Sequence, residues 1–517
     1  MVGGKPFRRA LLHARSKRGA RRASVRVAAT LAIGIVLALA GASAAAAKRH
    51  ASRHPVKRVT VTAALQGLQR AGAIGASEYA RYEGAYIAAK GSLRKLNGTR
   101  RTELGGVLGN VEAIAAKGLF IPSRLPALFL TLERNREWWT TKYLLGSGQR
   151  LGFQGSRLVW EYYPGQGIEI QWLATFGEAN GYYLSHENAA LKEVLSEAIG
   201  LASRRAGGIA WEYMFQFDGG TPPWTSGLSQ GTALQALSRA WERTHEQPFL
   251  TAAQQALGIF ETGPQTGVRM ATPAGAHYLE YTYAPSERIL NGFIQSLVGL
   301  YEYAKLTGDP NGQQLFEAGD AEARAEVPKY DTGAWSMYDQ SSESNLNYHE
   351  LLAEFLEHLC ERTNKGEPLT PTTGPIAGDD IYCTTAKRFR EDLTTPPELE
   401  LLTTTVRTGE RAGVQVKLSK IATVSMTITR NGKTVWANKA TVEGGKPRLL
   451  WVTPSKPGSY EVAIKAIDLA GNEEVAGGSI EVKRPRKPLK HAVRRHLAFK
   501  ADVPAPTTPP ARRLPAM

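Results

Sequence analysis

One carboxylate and a set of tyrosines are the residues of this chain best suited to chemistry. In the run 275–303, GAHYLEYTYAPSERILNGFIQSLVGLYEY, Glu280 lies among Tyr278, Tyr281 and Tyr283, just before an amphipathic stretch with a polar start. A second run, 329–350, KYDTGAWSMYDQSSESNLNYHE, carries Tyr338 after the turn residues Asp331-Thr332-Gly333, and Tyr348 beside His349. Glu and Tyr gathered around an apolar, partly closed cleft suit proton transfer next to a group on which charge accumulates. A tyrosine serves as acid or base there only if its surroundings bring its pKa down from about 10 toward neutral. An isolated Tyr near a helix start is more often a packing residue with a bonded hydroxyl, so the case rests on the set.

The elements that must position these residues are mainly helical. From Thr60 onward apolar residues recur at three- and four-residue steps (Ala64, Leu65, Leu68, Ala71, Ile74), and the pattern continues over 80–93. The same spacing predicts helices over 102–117 and 122–145, a long helical stretch over 170–206, then helices over 226–244, 247–260, 286–307, 311–327 and 345–362. Short loops pairing such helices are the habit of an α/α barrel or toroid, here spanning 60–362. Ser286, ahead of Glu287, reads as a helix cap. The run Thr307-Gly308-Asp309-Pro310 ends one helix and starts the next. Residues 152–167 lack a helical period and read as a hairpin or extended piece of the kind that lines a site between helices.

Residues 363–394 form a Pro/Thr/Gly-rich connector, after which the apolar period changes to two. Strands are expected over 414–419, 422–437 (with the hairpin turn Asn431-Gly432), 448–452 and 458–468. The expected fold is therefore mainly α, followed by an all-β sandwich over 395–483 that resembles bacterial Ig-like modules. Spacing or docking is the usual role of such a module; only Trp436 and Trp451 offer it stacking faces for sugar.

Charge is unevenly placed. The net charge of +17 divides into +14 over 1–58 and +9 over 483–517, leaving −6 for the body of the chain. The basic balance belongs to the tails, so no nucleic-acid partner is expected for the folded part. A basic region ending at Arg26 precedes the apolar run 27–47, VAATLAIGIVLALAGASAAAA. It reads as a signal peptide, with a signal anchor as the alternative. Residues 48–59 are a basic linker and 484–517 a disordered basic, Pro-rich tail. The protein is expected to be secreted or extracytoplasmic, with membrane or cell-envelope attachment open through the N-terminal segment and the tail. Its two cysteines, Cys360 and Cys383, are read as a disulfide in preference to free thiols.

The two runs above, with 224–241, WTSGLSQGTALQALSRAW, resemble the C-terminal domain of D-glucuronyl C5-epimerases in order and spacing over roughly 165–359. The resemblance implies inversion of carbon 5 of glucuronate units within a uronate-containing polysaccharide. One group removes a proton α to a carboxylate, and a second returns one to the opposite face. Carried over position by position, Glu280, Tyr281, Tyr338 and Tyr348 become the catalytic candidates. Gln230, Asn291, His349, Trp224, Tyr278 and Arg157 are the candidates for substrate contact. Two departures stand out. Animal members carry an arginine soon after the Tyr-Asp of the second run, where this chain reads YDQSSES. They also have a large N-terminal β-domain walling the cleft; here helices and the 152–167 piece, with Tyr162, Tyr163 and Arg157, stand in that place.

Other readings are a uronate lyase or glycoside hydrolase on an α/α barrel, and a non-catalytic glycan-binding envelope protein. A hydrolase needs two facing carboxylates, and Glu280 has no evident sequence partner. No phosphate loop, nucleotide motif or metal-ligand cluster is present, so no organic cofactor is expected. A structural Ca²⁺ stays open, because its carboxylate and carbonyl ligands leave little trace in sequence.

Overall fold

A computed structural model describes residues 59–364 and 380–485. The apolar run 27–47, the linker up to 58, connector residues 365–379 and the tail beyond 485 lie outside the described residues.

The first part is helical. Val61–Arg70, Ala76–Lys95, Gly98–Ala116 and Leu125–Thr141 lead into the three-stranded sheet β1 (Arg150–Leu151), β2 (Trp160–Tyr163) and β3 (Gly167–Ile170). Helices Trp172–Leu184 and Asn188–Gly200 follow. After them come Gly227–Thr244 and Gln247–Ala256, Leu290–Thr307 and Pro310–Glu326, and Leu346–Thr363 and Ile381–Asp392. The first member of each pair packs on the first member of the next, from Trp172–Leu184 through Gly227–Thr244 and Leu290–Thr307 to Leu346–Thr363. Close approach in this row requires glycine: a Cβ on Gly299 would fall 2.0 Å from the Gly231 carbonyl oxygen. Glu302 of Leu290–Thr307 accepts from Arg239 and Arg362, an ion cluster tying three of these helices together.

Three expectations need correction. The stretch 170–206 is not one helix. His186 takes a positive φ (61°), and the chain turns through Ala206 and Gly207 (53° and 78°) between β4 (Ser203–Arg205) and β5 (Gly208–Ala210). Ser286 does not cap. Its carbonyl accepts from the Gln340 amide at 2.9 Å, and the Arg288 N–H donates to the Gln340 oxygen at 3.0 Å. With those backbone groups committed to a loop, the helix starts only at Leu290. The connector contains the helix Ile381–Asp392, capped by Asp380 accepting from Tyr382 N at 3.0 Å. Cys360 and Cys383 join that helix to Leu346–Thr363 by a disulfide.

The last part is β. Two short strands, β6 (Arg269–Ala271) and β7 (Ala276–Tyr278), belong to the helical part. Beyond residue 398 lie β8 (Leu399–Leu401), β9 (Thr405–Arg407), β10 (Arg411–Leu418), β11 (Ala422–Arg430), β12 (Lys433–Val442), β13 (Arg448–Val452), β14 (Gly458–Asp468) and β15 (Glu473–Lys483). They form sheets of order β13-β10-β8 and β12-β11-β14-β15-β9. Period-two burial turns Val414, Val416, Leu418 and Trp451 of one sheet toward Val424, Met426, Ile428, Val462 and Ile464 of the other, making one shared core. Asn431 and Gly432, both at positive φ, make the β11–β12 hairpin. Trp451 is fully buried and offers sugar no face.

Candidate active site

Glu280 follows β7 and lies beneath the helix Leu290–Thr307. The N–H of Gly227 donates to the carbonyls of Leu279 and Glu280 (3.2 and 3.1 Å), and Ser226 bridges Tyr281, so 224–227 is pinned alongside. Glu280 is 5% exposed, and its buried Oε2 has no hydrogen-bond partner. Burial pushes its pKa up to about 7; the Tyr281 hydroxyl bond works against the rise and Glu287 adds to it.

Tyr281 stacks on Tyr283, with ring centres 5.3 Å apart, and meets Trp224 edge-on at 5.7 Å. The groups that act on it electrostatically are Glu280, Tyr338, Tyr283 and Tyr348, so residues distant in sequence converge here. Tyr338 and Tyr348, both half-buried, have ring centres 4.7 Å apart and hydrogen-bond to each other. Asn345 caps the helix Leu346–Thr363 by accepting from Tyr348 N at 3.0 Å, which sets Tyr348 in its first turn. Tyr338 N donates to Ser342 O at 2.8 Å. Asp339 Oδ1 accepts from the N–H and hydroxyl groups of Ser341 and Ser342, so a hydroxyl-lined turn stands where the resemblance puts an arginine.

The structure thus brings Glu280, Tyr281, Tyr338 and Tyr348 together, but not with the electrostatics a tyrosinate base requires. Burial, then neighbouring carboxylates, hold all three phenols well above their ordinary range. The charged side chains with the largest effects on Glu280, Tyr281, Tyr283, Tyr338 and Tyr348 are acids: Glu280 itself, Glu287 and Asp218. Glu280 is the member that titrates near neutrality.

An aromatic wall continues around Trp224. Tyr213 stacks on Trp224 at 4.3 Å, and Tyr163 of β2 lies on Phe215 at 4.6 Å. Gln171 joins the two tyrosines, its amide donating to Tyr163 at 2.8 Å while its oxygen accepts from Tyr213 at 3.1 Å. Strand alternation places Tyr162 on the opposite face, where it donates to Glu103. Sequence reading does not single out Phe215, Phe217, Asp218 or Glu287. Tyr283 has a signal, since it recurs two residues after Tyr281 as a strand period would require.

The substrate-contact candidates fare unevenly. Trp224 belongs to the wall but is 2% exposed, its indole N–H committed to Phe215 O. Asn291 is buried beside Gly292, whose N–H it accepts. Three assignments are corrected. Gln230 is fully buried, its amide bonded to Trp211 O and Thr225. Tyr278 is a core residue packed on Phe260, its hydroxyl donating to Leu315 O at 2.6 Å. Arg157 sits on the surface, paired with Glu193. His349 is sealed: Ser336 N donates to its Nδ1, and its Nε2 lies 2.8 Å from Phe389 O. Burial depresses its pKa to about 4, and with both ring nitrogens hydrogen-bonded inside the fold it has none free to take a proton on this face.

Residues 206–369 match the family described as D-glucuronyl C5-epimerase C-terminus. Over those residues the chain is similar to this family. A D-glucuronyl C5-epimerase of Caenorhabditis elegans is 33% identical over 131 residues, 23% of this chain and 21% of that protein. An uncharacterized protein of Methanocaldococcus jannaschii is 26% identical over 191 residues, 35% of this chain and 58% of that one. The chain therefore spans about a fifth of the first relative and under three fifths of the second. Among solved structures, an unsaturated glucuronyl hydrolase specific for heparin aligns with TM-score 0.30 and 13% identity, covering 61% of this chain and 83% of that one. A likeness at that level carries no functional argument. All four catalytic candidates fall inside the matched segment.

Proposed function

We propose that this protein is a carbohydrate-active epimerase that inverts carbon 5 of uronate units in a polysaccharide. The observation that carries the reading is the convergence of Glu280, Tyr281, Tyr338 and Tyr348 within a segment of the epimerase family. We read the helical part as an α/α toroid. The basic-then-apolar N-terminal run supports export.

The electrostatics favour a division of labour. Glu280, poised near pH 7, is the proton acceptor of the site. The phenols of Tyr338 and Tyr348, hydrogen-bonded to each other, stay protonated and relay protons between it and the substrate carbon. A phenol that gives its proton toward Glu280 as it takes one from carbon 5 never has to exist as a free tyrosinate. Charge growing on the substrate carboxylate is met by hydrogen-bond donors, since the arginine of the resemblance is absent. Incubation with uronate polymers in D₂O tests the reading: an epimerase places deuterium at carbon 5, whereas a lyase leaves unsaturated ends.

A further inference from the structure

The loop that carries Tyr338 is held from behind by the β-sandwich. Lys420, in the turn between β10 and β11, is 1% exposed. Its ammonium donates to Asp392 O at 2.6 Å and to Thr395 O, pairs with Asp468 at 2.8 Å, and stands 5.3 Å over the ring of Trp335. Trp335 is fully buried and lies flat on His349, with ring centres 3.7 Å apart and planes 5° apart. Its indole N–H donates to Ser344 O at 2.8 Å, closing the 331–345 loop on itself. The pile Lys420–Trp335–His349 thus spans three elements: a β-sandwich turn, the loop bearing Tyr338, and the helix on which Tyr348 adjoins His349.

A second contact does the same work at the loop's far end. Gly444 N donates to Glu343 at 3.1 Å, and a Cβ on Gly444 would approach the other Glu343 oxygen to 2.8 Å. An open cavity of about 720 Å³, bordered by Met337, Glu343 and Lys446, separates the two parts around these contacts. The β-sandwich therefore grips the loop at two points, while on its other side Gln340 bonds Ser286 and Arg288, and Leu290 N donates to Tyr338 O.

We propose that the β-sandwich is part of the catalytic unit, with Lys420 a positioning residue that fixes Tyr338 against Tyr348. The inference rests on the epimerase reading for its rate readout only. Lys420→Met alone would strand the buried Asp468 carboxylate, a destabilisation unrelated to the loop. The test is therefore the full chain carrying Lys420→Met with Asp468→Asn, beside Glu343→Ala and Lys420→Arg.

Two quantities are measured: amide hydrogen exchange over 331–345, and deuterium incorporation at carbon 5 of a uronate polymer. In Lys420→Met/Asp468→Asn, loop exchange is expected to rise roughly tenfold while the helices Gly227–Thr244 and Leu290–Thr307 keep their protection. Turnover is expected to fall at least about tenfold with KM changed less than about twofold. Lys420→Arg restores both. If either quantity is unchanged, the proposal is overturned. Should the double variant fail to fold, Glu343→Ala is read by the same two quantities, and an unchanged value in either again overturns the proposal. If the wild-type chain turns over no uronate polymer, the epimerase reading falls and loop exchange alone decides this one.

Discussion

A Cβ added to Gly292 would stand 2.6 Å from Glu280 Oε2 and 3.1 Å from its Cβ, so the carboxyl fills the space that glycine leaves. Gly292→Ala must therefore displace the Glu280 side chain. Ala favours a helix interior by about 1 kcal/mol over Gly, and overpacking costs about 1–3 kcal/mol, so stability should fall by no more than about 2 kcal/mol. Activity should fall by about 10–100-fold, because positioning loses rate faster than it loses fold. Kinetics beside urea unfolding checks this; full activity would show that the Glu280 position is not critical.

Glu280 sets the pH response. Its pKa rises from 4.5 to about 7 on folding, so the native chain binds more protons than the unfolded one between those values. Its contribution therefore favours the fold below about pH 4.5 and is lost as pH climbs through 7, by on the order of 3 kcal/mol. The rate should move oppositely, rising to a plateau as Glu280 ionises near pH 7. Glu280→Gln should abolish that limb and flatten its share of the stability profile. Tyr281→Phe removes a bond that lowers the Glu280 pKa and should shift the limb to higher pH. A pH–rate profile unchanged by both substitutions would remove Glu280 from the chemistry.

Tyr348 and Tyr338 are expected to matter through their hydroxyls. Tyr348→Phe keeps the ring contact at 4.7 Å but loses the proton, and should slow exchange by at least about 100-fold with Tm nearly unchanged. Tyr338→Phe should do likewise. Undiminished exchange in Tyr348→Phe would clear that residue of a proton-transfer role.

The largest charge effects on the tyrosine set come from acids, and Asp339 acts in turn on Glu287. Densely charged polyanions should therefore be poor substrates. An N-acetylated heparosan should be turned over faster than its N-sulfated form, and the gap should narrow as salt is raised. A preference for the sulfated polymer at low salt would contradict this.

Much of the fold is legible in the sequence because helical period, β period and turn residues agree locally. The strand alternation of 422–437 and its Asn431-Gly432 turn follow directly from residue order. Ser286 departs from its expected capping role because its backbone is claimed by Gln340, more than fifty positions away. The convergence of the catalytic candidates is legible through motif order, but their electrostatics are not. Burial decides them, and burial of Glu280 depends on Gly292 and on the 224–227 segment lying alongside. Tyr278 and Gln230 have residue types that suit substrate contact; only packing sends them to the core.

The central claim is tested most directly by incubating the purified chain with heparosan in D₂O and reading the polymer by NMR. Deuterium at carbon 5 together with iduronate signals is the expected result, both lost in Glu280→Gln. Unsaturated ends, or glycan binding with no exchange at carbon 5 in any uronate polymer, would contradict the epimerase reading.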